Sequence, residues 1–487
     1  MRFKLIFSII GFMATVLGIG MVVPAAVDLL FDNMASAERF SMSAALCVSI
    51  GLLIYILAGS ENEPLRTKEM FLTTTLVWVC YTLLAAFPFY MSEYHLSWTD
   101  SVFESMSGLT TTGSTILTGL DQMPRGLLLW RSMLQWLGGA GIVIVAIMIL
   151  PALHIGGMQF FTTESSAQSE RDLPTVVQNM RAFLIYLIGL TLACALCLKG
   201  AGMGWFDAAN HALTTISTGG FSTHDASIGY FNSPLIEWIL ILFMALSGVP
   251  LVLGLYLIRG RWKPIKEDEQ IAFYLKVVCF SAVFLTTLRW LSNHFVPKEV
   301  LTYFRESLFA IVSTMTTTGF VVDNYQLWGS FAIAFFMFLL MLGGCTGSTA
   351  GGIKMFRFTI LFRATAVRLK SLVQPHGVFV PRYGRHVISD DILISVLVFI
   401  GLYLGTAIVT TLILSAYGLD FVTSFSGALS ALSNVGPALG HTIGPDKTFA
   451  SLPDGAKWIL TFAMLVGRLE FVSVFVLFFP FLWRRNA

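Results

Sequence analysis

The sequence predicts an all-α integral membrane protein. Four pseudo-repeated units, each a helix, a short pore helix and a second helix, surround a central pore, and an N-terminal helix pair stands beside them. Three observations point there: an apolar, charge-poor composition, about ten runs long enough to cross a bilayer, and a glycine turn that recurs four times at corresponding places. Of 487 residues, 56% are hydrophobic and 12% charged, and the mean hydropathy is +0.77. A soluble domain carries about 25% charged residues and cannot hide this much apolar surface. Lys plus Arg number 30 against 28 Asp plus Glu, a formal +2. That balance leaves no positive surplus for a nucleic-acid footprint and excludes a nucleic-acid binder.

The helix pair occupies residues 1–64. Arg2 and Lys4 precede an apolar stretch from Leu5 to Leu30, longer than the roughly 7 to 15 residues of a signal h-region, so it reads as a retained helix. A crossing takes about 20 apolar residues. Runs near 5–30, 41–58, 70–90, 126–153, 181–198, 235–258, 271–292, 329–370, 391–416 and 456–483 qualify, and an even number returns the chain to its starting side. With the N-terminus inside, 20 of the 30 basic residues fall in cytoplasmic segments, including Arg66, Arg171, Arg259, Arg261, Lys354, Arg385, Arg484 and Arg485. The positive-inside bias therefore places both termini in the cytoplasm. The six cysteines are scattered, and the only close pair, Cys194 and Cys197, lies in an apolar run; packing explains it better than redox or zinc chemistry.

From the third run onward the outer loops are 91–125, 199–234, 293–328 and 417–455, of 35, 36, 36 and 39 residues. Such regularity is the mark of an internal repeat, with units at 65–160, 161–262, 263–376 (its second helix broken) and 377–487. Each loop opens on a half-apolar stretch too short to span and then enters a small, hydroxyl-rich turn. Non-helical backbone at that depth is tolerated only where protein or a water-filled cavity covers it.

Aligned on one glycine, the turns centre on Thr111-Thr112-Gly113, Ser217-Thr218-Gly219, Thr317-Thr318-Gly319 and Asn434-Val435-Gly436, the glycines being 106, 100 and 117 residues apart. A ring of backbone carbonyls replaces the hydration shell of a monovalent cation without adding formal charge. Glycine adopts the backbone angles this needs, and the C-terminal ends of the short helices favour a cation on the axis. One such turn is an ordinary loop; four at matching places describe an ion filter.

The motifs Thr110-Thr-Thr-Gly-Ser114, Ser217-Thr-Gly-Gly-Phe-Ser-Thr-His-Asp225, Thr316-Thr-Thr-Gly-Phe320 and Ser433-Asn-Val-Gly-Pro437 resemble the Trk/Ktr/HKT superfamily of potassium transporters, in particular its bacterial TrkH/TrkG/TrkI branch. The resemblance covers nearly the whole chain. It implies a K+-conducting pore within one subunit, a homodimer in the bacterial inner membrane, and a cytoplasmic TrkA-like subunit that binds nucleotide (NAD or ATP). It carries the filter role to the four glycines with the two residues before each. Some plant relatives that prefer sodium have serine at the first of these positions, so Gly113 favours potassium. Asn434 and Val435 depart from the threonine pattern and break four-fold chemical symmetry.

The eighth run is interrupted by Gly343-Gly344-Cys345-Thr346-Gly347-Ser348-Thr349-Ala350-Gly351-Gly352, five glycines in ten residues. At about 1 kcal/mol per glycine relative to alanine, this stretch is not expected to stay helical. A phosphate loop is excluded by the missing strand and by Ile353 where the lysine belongs. By resemblance it is a gate beneath the filter. Arg468 sits inside the last run, where a charge costs at least about 2.5 kcal/mol. It either pairs with a buried acid such as Glu104 or, by resemblance, faces the pore as a barrier to cations. Glu104 and His211, on the first and second short helices, are candidate filter supports, and His224 and Asp225 either support the outer mouth or cap a loop. The basic segment 354–391 satisfies the positive-inside bias and equally suits a partner or anionic lipid. No nucleotide fingerprint follows a strand, so no organic cofactor is expected in this chain. An ion-coupled solute symporter is the competing transport reading, although it favours inverted repeats over four units in one order; an enzyme has neither a metal-ligand set nor a nucleophile with its base.

Overall fold

The computed structural model describes residues 1–59, 65–148, 176–258, 260–292, 300–384 and 386–483. The end of the fourth expected span (149–153), the unit boundaries near 64 and 160, and Arg171, Arg259, Arg385, Arg484 and Arg485 lie outside them. Helices α1 (Phe3–Gly20), α2 (Val22–Leu30) and α3 (Met34–Ala58) form the N-terminal pair. Small residues let α1 and α3 touch backbone to backbone: a Cβ on Gly11 would lie 2.6 Å from the Tyr55 nitrogen, and one on Gly51 2.6 Å from that of Thr15. In lipid such close packing takes over the work that the hydrophobic effect does in water. Buried Asp28 accepts hydrogen bonds from the Ser36 hydroxyl and the Gly126 amide, both at 2.6 Å, tying the pair to the first unit.

The first unit is α4 (Thr67–Ala85), α5 (Trp98–Leu109) and α6 (Arg125–Met148); the second is α7 (Val176–Gly200), α8 (Trp205–Ile216), α9 (Pro234–Ser247) and α10 (Leu251–Ile258). The third is α11 (Glu269–Ser292), α12 (Val300–Met315), α13 (Ser330–Leu339) and α14 (Met355–Val373). The fourth is α15 (Asp390–Ala416), α16 (Phe421–Ser433), α17 (Asp454–Arg468) and α18 (Val472–Phe475). A two-residue hairpin, β1 (Arg382–Tyr383) with antiparallel β2 (His386–Val387), joins the last two units.

Short helices α5, α8 and α16 start on polar caps or first-turn acids: Ser97 accepts from the Asp100 amide, Asp420 accepts from the Thr423 amide, and Asp207 lies in the first turn of α8. These N-termini suit negative charge. Three of the short helices lie against the second helix of the preceding unit, α8 on α6, α12 on α9, and α5 on α17. That last contact joins the fourth unit to the first and closes the circle.

Among the described residues, six helices are long and apolar enough to cross a membrane: Phe3–Leu30, Met34–Ala58, Lys68–Tyr90, Arg181–Gly200, Glu269–Ser292 and Asp390–Ala416. The break expected in the eighth run falls between α13 and α14. The structure adds two more that the sequence reading did not contain. The sixth run is interrupted at Gly248–Pro250, and the tenth bends by 109° between α17 and the residues after it. Phe471 and Glu470 take positive φ at that bend.

Candidate functional site

The short helices end together at the axis. Immediately after each, one non-glycine residue adopts the left-handed region: Thr111 at φ 54°, Thr218 at 54°, Thr317 at 57° and Asn434 at 55°. Such a conformation costs of order 1–3 kcal/mol each, so four copies mark a constrained site. Two residues later comes a positive-φ glycine, Gly113 (84°), Gly220 (75°), Gly319 (80°) or Gly436 (103°). Between them one amide bonds back into the short helix, Thr112 to Ser107, Gly219 to Thr214, Thr318 to Ser313 and Val435 to Ser430, at 2.8–3.0 Å.

This geometry corrects the alignment of the second turn by one residue. Thr218-Gly219-Gly220, rather than Ser217-Thr218-Gly219, is equivalent to Thr111-Thr112-Gly113, and Ser217 matches Thr110. Sequence alone could not choose between adjacent glycines, whereas the backbone angles do.

The four turns also close a ring. A Cβ on Gly113 would collide with the carbonyl of Gly219, one on Gly220 with that of Thr318, one on Gly319 with that of Val435, and one on Gly436 with that of Thr112. Each glycine therefore faces the same carbonyl of the next turn, and glycine is required by contact as well as by φ. The side chains, in contrast, follow a two-fold pattern. In the first and third turns hydroxyls pair within the turn, Thr110 with Thr112 at 2.7 Å and Thr316 with Thr318 at 2.8 Å. In the second and fourth, Gly219 and Val435 stand in that third place. Asn434 reaches sideways, its amide donating to the Thr112 hydroxyl (3.0 Å) and the Met464 carbonyl (2.9 Å).

Every seam between neighbouring turns is hydrogen-bonded on the face that carries the long loops. Arg131 donates to the Ser222 carbonyl at 2.9 Å between the first and second, and Ile228 to the Val321 carbonyl at 3.1 Å between the second and third. The Gly440 amide donates to Gln326 at 2.6 Å between the third and fourth, and the Phe449 amide to the Thr115 carbonyl at 2.8 Å between the fourth and first.

Glu104 does not pair with Arg468. It is fully buried behind the first turn, ion-paired with Arg131 at 2.8 Å and accepting from the Ile116 amide at 2.9 Å. The nearer cation on α6 satisfies it, and Arg131 also stacks 4.0 Å over Phe221. His211 is buried between the Asp207 carbonyl (2.8 Å) and the hydroxyl of Ser222 (3.0 Å), two residues past the second turn's glycine. Asp225 caps the loop after the first turn, taking the amides of Gly119 (2.9 Å) and Leu120 (3.1 Å). His224 pairs with Asp121 and lies 3.6 Å from Asp207. Burial disfavours its charged form, but these two carboxylates outweigh that and raise its pKa.

On the other side of the turns lies the glycine-rich segment 343–352, largely buried. It is held by backbone bonds: the Gly343 amide to Ile353 (3.0 Å), the Cys345 amide to Gly248 (2.8 Å), the Leu251 amide to Gly347 (3.0 Å) and the Met355 amide to Gly344 (3.1 Å). Thr346 donates its amide to Gln270 at 2.9 Å. Ser348 folds back on Cys345, and Ala350 sits under Gly344. The segment touches three of the four turns. The Thr218 hydroxyl meets that of Thr349 at 3.2 Å, the Gly351 amide donates to the Thr317 hydroxyl at 2.8 Å, and a Cβ on Gly351 would strike the Ser433 carbonyl. Gly352 takes positive φ beside Gly343. Arg468, 3% exposed, donates to the Thr349 carbonyl at 2.9 Å and to that of Gly138 at 3.3 Å. Glu470 turns the other way, to Lys354 (2.8 Å) and Arg357 (2.5 Å) at the exit of the segment.

Sequence reasoning missed Arg131 and Gln135. Gln135 donates to the Gly219 carbonyl at 2.6 Å and accepts from the Phe221 amide at 3.0 Å. Their four-residue spacing in an otherwise apolar run was the available signal, since it puts both polar groups on one helix face.

The chain matches the TrkH family, described as cation transport protein, over residues 36–485. It is 39% identical to the Trk system potassium uptake protein TrkI of Halomonas elongata, with 99% of this chain and 98% of that protein covered. Against the Trk system potassium uptake protein TrkH of Salmonella typhimurium it is 37% identical, covering 99% and 100%. Its fold resembles the crystal structure of the potassium transporter TrkH from Vibrio parahaemolyticus, with a TM-score of 0.91 at 32% identity over 99% of this chain and 100% of that one. A match this long, together with the closed ring of turns, means that the chain belongs to the TrkH family of cation transport proteins, a family of multi-pass membrane transporters rather than enzymes.

Proposed function

We propose that the chain is the pore subunit of a potassium uptake system of the bacterial inner membrane, with K+ as its cargo and both termini in the cytoplasm. The observation that carries this reading is the ring in which each turn glycine faces the next turn's carbonyl. Main-chain oxygens around Gly113, Gly220, Gly319 and Gly436 take the place of the ion's water. Residues 343–352 are the gate, lying across the inner side of the turns, and Arg468 adds a positive charge to the same barrier. The names of the relatives supply potassium and uptake. Family resemblance supplies the homodimer and the TrkA-like nucleotide-binding subunit, for which the basic segment after Lys354 offers a docking face.

The test is Rb+ uptake into proteoliposomes holding the purified full-length protein and no other solute. Uptake that K+ competes away supports a K+ pore. Rb+ movement that requires a cotransported solute overturns it in favour of an ion-coupled symporter.

A further inference from the structure

We infer that Gln135 is a selectivity-determining residue: it supplies, from the neighbouring unit, the side chain that the second turn lacks, and it holds the Gly219 carbonyl at the width of a dehydrated K+. This rests on the filter reading above and deepens it. The third place of the turn is filled by Thr112 in the first unit, Thr318 in the third and Val435 in the fourth. Only the second has glycine there. The vacancy is occupied, because a Cβ on Gly219 would overlap the Gln135 amide carbon. Gln135 is completely buried. Its two bonds fix the orientation of the amide, since the oxygen accepts from Phe221 at 3.0 Å and the nitrogen donates to Gly219 at 2.6 Å.

The Gly219 carbonyl is the one that faces Gly113, equivalent to the carbonyls of Thr112, Thr318 and Val435 in the ring. A smaller ion gains by drawing flexible carbonyls inward, and discrimination depends on how far they can follow. An N–H donor behind the carbonyl resists that inward movement. The second turn has no side chain of its own to stiffen it at this place, so the tether comes from α6. Gly219 does not adopt positive φ, so its lack of a side chain answers to Gln135 rather than to backbone geometry.

The experiment measures Rb+ uptake and its competition by K+ and by Na+, using full-length protein in proteoliposomes, for wild type, Gln135→Leu, Gly219→Thr and the double variant Gln135→Ala/Gly219→Thr. Gln135→Leu is expected to lower K+-over-Na+ discrimination about fivefold, the effect of one net hydrogen bond. Gly219→Thr should lose uptake through collision with Gln135. The double variant, which rebuilds the side-chain arrangement of the first and third turns, should regain both uptake and discrimination. Such reciprocal rescue is the signature of direct coupling. A Gln135→Leu protein with wild-type discrimination overturns the inference, whatever its stability. Should that variant fail to fold, a double variant as impaired as Gly219→Thr alone overturns it equally. Absence of K+-competed uptake in wild type strikes at the filter reading instead.

Discussion

The first helices of the four units, α4, α7, α11 and α15, run unbroken for 19, 25, 24 and 27 residues, whereas the second helices of units two to four are each interrupted. The first helices present apolar side chains outward, as Ile408 and Leu412 do at 57% and 65% exposure. Against lipid nothing but the helix itself can satisfy a backbone amide, so these segments have no freedom to break. The second helices expose apolar residues too, such as Leu242 and Phe338, but their breaks lie inward, where other protein covers them. There the breaks satisfy one another. The Gly248 carbonyl in the second unit takes the Cys345 amide of the third, and the Gly347 carbonyl of the third takes the Leu251 amide of the second. Glu470, at the bend of the fourth, binds the two cations that follow the glycine segment. Irregular backbone is thus a shared property of these three units: the broken ends of the second and third take up each other's backbone groups, and the bend of the fourth is tied to the third through Glu470.

The strongest challenge to this comparison is Gly319→Ala. Its methyl would collide with the Val435 carbonyl, and the backbone there is left-handed. Strain of up to about 3 kcal/mol corresponds to a fall in Rb+ uptake of roughly a hundredfold. Leu412→Ala on a first helix should leave uptake unchanged and stability within about 0.5 kcal/mol. Equal effects at the two places would erase the distinction.

Glu470→Gln tests whether the breaks support one another. It leaves Lys354 and Arg357 buried without their carboxylate, and removing one partner of a buried pair costs about 3–5 kcal/mol. A large drop in the melting temperature of the detergent-solubilised protein is expected; an unchanged one would mean that the fourth break stands alone. Arg468→Ala, which frees the Thr349 carbonyl, should raise Rb+ flux by roughly tenfold, or about 1.4 kcal/mol. Lost expression without increased flux would assign Arg468 to structure instead.

The smallest effect belongs to the loop-bearing face. The pKa of His224 lies above the usual 6.5, so its pairing with Asp121 and Asp207 is fully present below that pH and fades as pH rises through the raised value. Because Asp121 is partly exposed, the loss should stay under about 1 kcal/mol. Thermal melts from pH 6 to 9 should show a shallow decline that His224→Gln removes. A slope that persists in the variant would place the titration elsewhere.

Much of this architecture was legible in the chain. Apolar run lengths, near-equal outer loops and four recurrent turns specified a ring of like units, because bilayer thickness and the need to satisfy backbone groups leave few alternatives. The glycine run declared its break through helix propensity alone. Less visible were the bends at Gly248–Pro250 and Leu469–Phe471, whose residues are mostly apolar and read as continuous spans. Glu104 announced that it needed a cation, yet its choice of Arg131 over Arg468 depended on which helix face lay behind the first turn.

What the sequence determined by itself is therefore local and periodic: where the helices run, where they are too short to cross, and which turns demand glycine. The tertiary structure alone decided the register of the second turn, the partner of every buried charge, and the use of Gln135 in place of a missing side chain. The physical reason is that hydropathy and backbone propensity act on neighbours along the chain. Hydrogen bonds between units join residues such as Gln135 and Gly219, or Arg468 and Thr349, that only folding brings together.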